Sequence, residues 1–196
     1  PEKALEYYKN SLALQQDIFT VWQQVFFIQS DLKKYDDLIT DTEVAKELFP
    51  NQAIVYFFNG LAYQQKENSE KAIKAYEKGV KMSASLPSLQ SQMFSNLGEV
   101  YNDIKDYKTS DLNFDKSLEI EPNNQYVLNN YSYYLSLREE KLDLAKKMSA
   151  KSLVLSPDNP TYLDTYAWVL YKAKEYGRNK VYFQANANLI EKPQIA

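Results

Sequence analysis

A segment of roughly 34 residues recurs along this chain, and that period constrains the fold more than any other feature. Tyr56, Gly60 and Tyr63 are followed by Ala72, Tyr76 and Gly79. Phe94, Gly98 and Tyr101 are followed by Tyr107, Phe114 and Ser117, and then by Pro122. Leu163, Ala167 and Leu170 are followed by Tyr176. In each stretch an aromatic or leucine precedes a small residue by four positions, and a tyrosine or leucine comes three further on. A short polar turn follows, then a second segment with apolar residues at i, i+4 and i+7. These are helical spacings, so each unit reads as two amphipathic helices joined by a tight turn. The small residue lets the two helices approach closely, and the tyrosine ahead of the second helix fills their elbow. Pro50, Pro122 and Pro157 stop the second helices.

Composition removes most chemistry. The 196 residues include no histidine and no cysteine, which excludes a Ser-His-Asp triad, a cysteine nucleophile, the usual zinc sites and disulfides. Four glycines leave little for phosphate-cradling loops, and neither G-x-x-x-x-G-K-[ST] nor G-x-G-x-x-G occurs. A net charge of -3 argues against nucleic acid as a partner. Only Arg138 and Arg178 are arginines, so bidentate recognition of phosphate or carboxylate is scarce. Carboxylates such as Glu67, Glu70, Asp106, Glu139 and Glu140 fall at polar helix positions and in turns, where they form a solvated face rather than an acid/base pair. No catalytic, cofactor or metal constellation emerges. The most apolar run, Val21 to Ile28, is interrupted by Gln23 and Gln24, far short of the ~20 residues that span a bilayer, so direct membrane insertion is not expected.

The residues quoted above resemble the tetratricopeptide repeat (TPR) pattern, W-x2-L-G-x2-Y, then A-x3-F, then P. The resemblance covers nearly the whole chain. It implies an all-α fold, a right-handed α-α superhelix of about five helix-turn-helix repeats plus a leading half repeat. The expected units are 1–18 as the second helix of a truncated repeat, then 19–52, 53–90, 91–124 and 125–159 as full repeats. Residues 160–196 form a last repeat with a degenerate second helix or a capping helix. The chain starts inside a repeat, which suggests a piece of a larger bacterial TPR-array protein. Phe26 stands where a small residue is expected, so its helix pair should splay or shift. Pro87 is expected to open a lengthened helix, being well tolerated in a first turn.

Function, on this resemblance, is written in the concave groove lined by the first helices. The inward register of such repeats selects Phe27, then Phe57 and Leu61, Glu99 and Asp103, Tyr126, Asn129 and Tyr133, and finally Asp164, Trp168 and Tyr171. The lysine that chaperone-tail carboxylate clamps carry at the fifth position is replaced by Gln23, Phe57, Ser95, Asn129 and Asp164, so that clamp is absent. Tyrosine and tryptophan are enriched at binding hot spots, and the acidic residues beside them favour lysine or arginine. The expected ligand is an apolar or aromatic peptide or protein segment with basic residues. The same aromatics could instead pack internally. Two other readings stand beside the scaffold: a self-association segment that dimerises through the open N-terminal end, and a substrate-recruiting arm of an enzyme. The lysine-rich, arginine-poor composition resembles that of AT-rich bacteria and favours a periplasmic or cell-envelope setting. Of the seventeen tyrosines, ten sit at repeat packing positions. Seven do not: Tyr7, Tyr126, Tyr133, Tyr134, Tyr162, Tyr171 and Tyr182.

Overall fold

The computed structural model describes residues 1–174. Among the described residues every regular element is an α-helix: α1 (Glu2–Leu14), α2 (Phe19–Asp31), α3 (Tyr35–Leu48), α4 (Ala53–Gln65), α5 (Ser69–Met82), α6 (Pro87–Asp103), α7 (Tyr107–Ile120), α8 (Gln125–Leu137), α9 (Leu142–Leu155) and α10 (Pro160–Lys172). α6 is the longest at 17 residues, with Pro87 in its first turn. The degenerate second helix or cap expected toward the C-terminus lies outside the described residues. The chain divides into two compact units, Pro1–Ile120 and a second that begins at Glu121.

In the first unit each helix packs on its sequence neighbour, and α2 and α6 also touch α4. The small position of the repeat works as the pattern requires. A Cβ on Gly60 would lie 2.6 Å from the Tyr76 ring, and one on Gly98 would lie 2.9 Å from the Phe114 ring. Both rings are fully buried. They seat directly on the backbone of the preceding helix, which brings α4 to α5 and α6 to α7. The first repeat inverts this arrangement. Phe26 is fully buried at the position of Gly60 and Gly98, and the position that holds Tyr76 and Phe114 is Thr42, also fully buried. A large-for-small exchange thus accommodates the ring, and α2 meets α3 more sparsely than α4 meets α5. Close crossing of α6 and α7 is completed by two buried serines. Ser117 Oγ donates to the Ser91 carbonyl at 2.9 Å, and Ser91 Oγ donates to the Ser117 carbonyl at 3.1 Å.

The turns inside the repeats share one conformation. Lys33, Glu67, Lys105, Glu139 and Lys174 all have φ between 55° and 64°, and each follows the first helix of its unit at the same repeat position. The next amide reaches back to close the helix: Asn68 N–H donates to the Tyr63 carbonyl at 2.9 Å, and Asp106 N–H donates to the Tyr101 carbonyl at 2.9 Å. This is the Schellman closure, for which glycine is the usual residue. Here lysine or glutamate carries the left-handed backbone instead.

Candidate functional site: the inward faces of the first helices

In the first unit the inward positions divide between packing and exposure. Phe27 on α2 is 54% exposed, its ring edge-on to Phe58 at 5.0 Å. Phe57 and Leu61 on α4 are half-buried and packed against the core cluster that α4 shares with α1, α2 and α3, and Phe57 also abuts the Tyr76 ring. Glu99 on α6 accepts from Gln64 Nε2 at 3.3 Å. Gln64 Oε1 accepts in turn from the Tyr76 hydroxyl at 2.8 Å, and that hydroxyl accepts from Asn96 Nδ2 at 2.9 Å. The chain of bonds ties α4, α5 and α6 together behind the inward face. Asp103 is exposed overall, yet partial burial of its carboxyl raises its pKa, partly offset by a hydrogen bond with Asn102.

The second unit carries the aromatic residues. α8 and α10 both pack on α9 and touch each other. Tyr126, Tyr133 and Tyr171 are 50%, 40% and 48% exposed. Trp168 stacks on Tyr171 with centroids 5.6 Å apart. Its other neighbour is the chain's own cation: Lys172 Nζ lies 5.2 Å over the Trp168 ring and pairs with Glu139 at 2.8 Å. Asp164 is exposed. Asn129, expected to face the groove, is buried at 4% exposure, and its Nδ2 donates to Asn130 Oδ1 at 3.2 Å. It is therefore a packing residue in this structure. Tyr162, set apart from the packing tyrosines in the sequence, is also buried. Both sit on the boundary of the apolar stripe, where neighbours rather than periodicity decide exposure.

Two polar atoms on this surface are buried without a hydrogen-bond partner, Asn129 Oδ1 and Trp168 Nε1. Such atoms cost free energy unless something satisfies them. Among the described residues no group of histidine, cysteine and carboxylate residues is arranged to hold a metal, and no helix is long and apolar enough to cross a membrane.

Comparison with known proteins places this geometry. Residues 53–85 and 91–124 match the family model of the tetratricopeptide repeat. A TPR repeat-containing protein of Pseudomonas aeruginosa is 29% identical over 142 residues, a match covering 71% of this chain and 23% of that protein. The chain therefore spans about a quarter of that relative's length. Among solved structures, pilF of Pseudomonas aeruginosa superposes with a TM-score of 0.75 at 19% identity, over 89% of this chain and 77% of that one. BtubC from P. vanneervenii gives 0.75 at 12% identity, over 100% and 92%. YrrB, described as a TPR protein with an unusual peptide-binding site, gives 0.65 at 17% identity, over 91% and 87%. At these identities the structures show the shared fold.

Proposed function

We propose that this chain, a member of the tetratricopeptide-repeat family, is a non-catalytic scaffold that holds a peptide segment of a partner protein against the inward faces of its first helices. The fold itself is generally a protein–protein interaction scaffold, and the peptide mode is the finer reading. The observation that carries it is the open aromatic surface of the second unit, Tyr126 and Tyr133 on α8 with Tyr171 on α10. Tyrosine supplies large contact area at low conformational cost and a hydroxyl at its tip. Lys172 already covers one face of Trp168, so a basic side chain of the partner would meet Tyr133 or Tyr171 rather than the indole. Asp164 adds an attractive charge on α10.

The test is selection from a random peptide library, followed by affinity measurement on variants. Tyr133→Ala combined with Tyr171→Ala should weaken the selected peptides about tenfold or more while leaving the melting temperature close to the parent's, because both rings are substantially exposed. Trp168→Ala should lower the melting temperature as well, since that ring is half-buried. Unchanged affinity in the double tyrosine variant would sink the reading.

A second reading, self-association, is favoured by one feature of α1. Leu5 and Leu12 are buried, while Tyr7 and Leu14 are 73% and 91% exposed. Concentration-dependent light scattering that disappears in Tyr7→Ser/Leu14→Ser would support a dimer through that helix, and a monomer at every concentration would eliminate it.

A further inference from the structure

The face of α4 opposite its inward residues opens onto a cleft of about 640 Å³ between α3, α4 and α5. Asn59 and Tyr63 line it, and each stands two residues from Phe57 or Leu61, about 200° around a helix. Its floor is polar where the repeat is normally apolar. Asn59, 1% exposed, occupies the repeat position of Leu97, Tyr131 and Tyr166. Its Nδ2 donates to Thr42 Oγ1 at 2.9 Å and to Glu43 Oε1 at 3.0 Å. Glu43 also accepts from the Tyr63 hydroxyl at 3.2 Å and pairs with Lys46 at 2.7 Å. The Glu43–Lys46 pair leaves this floor neutral.

The wall formed by α5 is not neutral. Lys71, Lys74 and Lys78 all line the cleft, at i, i+3 and i+7 on one side of the helix. Lys74 pairs with Glu70 at 2.6 Å, with both side chains more than two-thirds exposed, a pair of little strength. Lys71 places its ammonium 5.0 Å from the centre of the Tyr63 ring; its charge acts on the neighbouring Glu70 carboxylate, but it makes no ion pair within 4.0 Å among the described residues. Lys78 forms none either. Glu47 is close enough to act on the Tyr56 hydroxyl and is the remaining carboxylate of α3 near the cleft.

The repeat does not need these lysines in order to fold. An equivalent cleft of about 350 Å³ recurs one unit on, between α5, α6 and α7. There the positions of Lys46, Lys71 and Lys74 hold Val80, Thr109 and Leu112, and only Lys116 answers to Lys78. Four lysines thus line one cleft, Lys46 and Lys74 paired with Glu43 and Glu70 and Lys71 and Lys78 in addition, in a chain whose net charge is -3.

We propose that this cleft is a second binding site, for an extended acidic peptide segment of a partner protein. Lys71 and Lys78 would each take one carboxylate, and the Tyr63 and Tyr56 rings would carry the intervening side chains. Seven residues of helix rise about 10 Å, which is close to three residues of a polyproline-II chain at ~3.1 Å each, whose every third side chain returns to the same side. The segment therefore presents carboxylates at i and i+3. A peptide fits better than a nucleic acid, because the positive strip is only about three phosphates long on the scale of a single strand and the chain as a whole repels polyanions.

The probe is a fluorescein-labelled nonapeptide with two glutamates three residues apart, read by fluorescence anisotropy at low salt. Binding should fall about tenfold when both glutamates become glutamine, and by about as much in Lys71→Ala/Lys78→Ala, as expected for two charge-assisted contacts. Both substitutions are exposed and favour helix, so circular dichroism and melting should match the parent. Lys81→Ala/Lys116→Ala, on the equivalent cleft, should bind like the parent. The proposal is overturned if Lys71→Ala/Lys78→Ala retains full affinity, or if the control pair loses as much. It is overturned equally if an oligonucleotide of the same charge binds more tightly with the same dependence on these lysines.

Discussion

Gly60→Ala gives the most direct test of how the helices are held together. In an exposed helix interior this change is stabilising by about 1 kcal/mol, since alanine is the better helix former. Here the new methyl would stand 2.6 Å from both Cδ1 and Cε1 of Tyr76, where carbon atoms rest at about 3.5–4.0 Å. One of the two must move by roughly 1 Å. The ring cannot withdraw freely, because it is fully buried and its hydroxyl is tethered to Gln64 and Asn96. Overpacking of this kind costs about 1–3 kcal/mol, and breaking the hydroxyl's bonds adds about 1 kcal/mol. Set against the propensity gain, the net loss is about 2 kcal/mol, or roughly 4–8 °C of melting temperature for a chain of this size. Thermal and urea melts followed by far-ultraviolet circular dichroism measure it. Gly60→Ala placed on Tyr76→Leu should cost less than on the parent, because the ring is then gone. A Gly60→Ala protein that melts at or above the parent would refute the reasoning.

Three further outcomes are expected. Glu67→Gly and Lys105→Gly should each stabilise the chain by about 0.5–1 kcal/mol, because both residues hold a left-handed backbone that penalises a Cβ; a loss of stability in denaturant melts would contradict this. Burial pushes the Glu43 carboxyl up, but hydrogen bonds from Lys46, Asn59 and Tyr63 and the charge of Lys46 outweigh it and hold its pKa below the ordinary value of 4.5. Its stabilisation is therefore present above about pH 4.5 and lost as pH falls through the lower folded value, so Glu43→Gln should flatten the acid side of the stability–pH curve. Ser117→Ala removes a buried donor to the Ser91 carbonyl and should cost about 1 kcal/mol, measured by urea denaturation.

Periodicity alone was enough for the paired helices and the small-against-large contacts at Gly60 and Gly98, because those depend on residues within a single unit. The inward register implied by the family resemblance selected Tyr126, Tyr133 and Tyr171, and all three are exposed. It failed where neighbours decide. Asn129 lies on the inward register yet is buried, and Phe26 breaks the small-residue rule yet fits, because Thr42 vacates the space sixteen residues later. Left-handed turns at Lys33, Glu67, Lys105 and Glu139 were invisible, since the pattern offers no glycine there to announce them.

A chain of paired helices without histidine or cysteine chemistry is already implied by the string, because a roughly 34-residue period and a missing residue type are properties of it. Which charges stand together is set by how the helices pack. Glu43, Asn59, Lys71 and Lys78 come from three helices and look like unrelated polar positions in the string. Packing α3, α4 and α5 side by side turns them into one cleft with a neutral floor and a cationic wall. Electrostatic character depends on distances through space, and those exist only once the helices have packed.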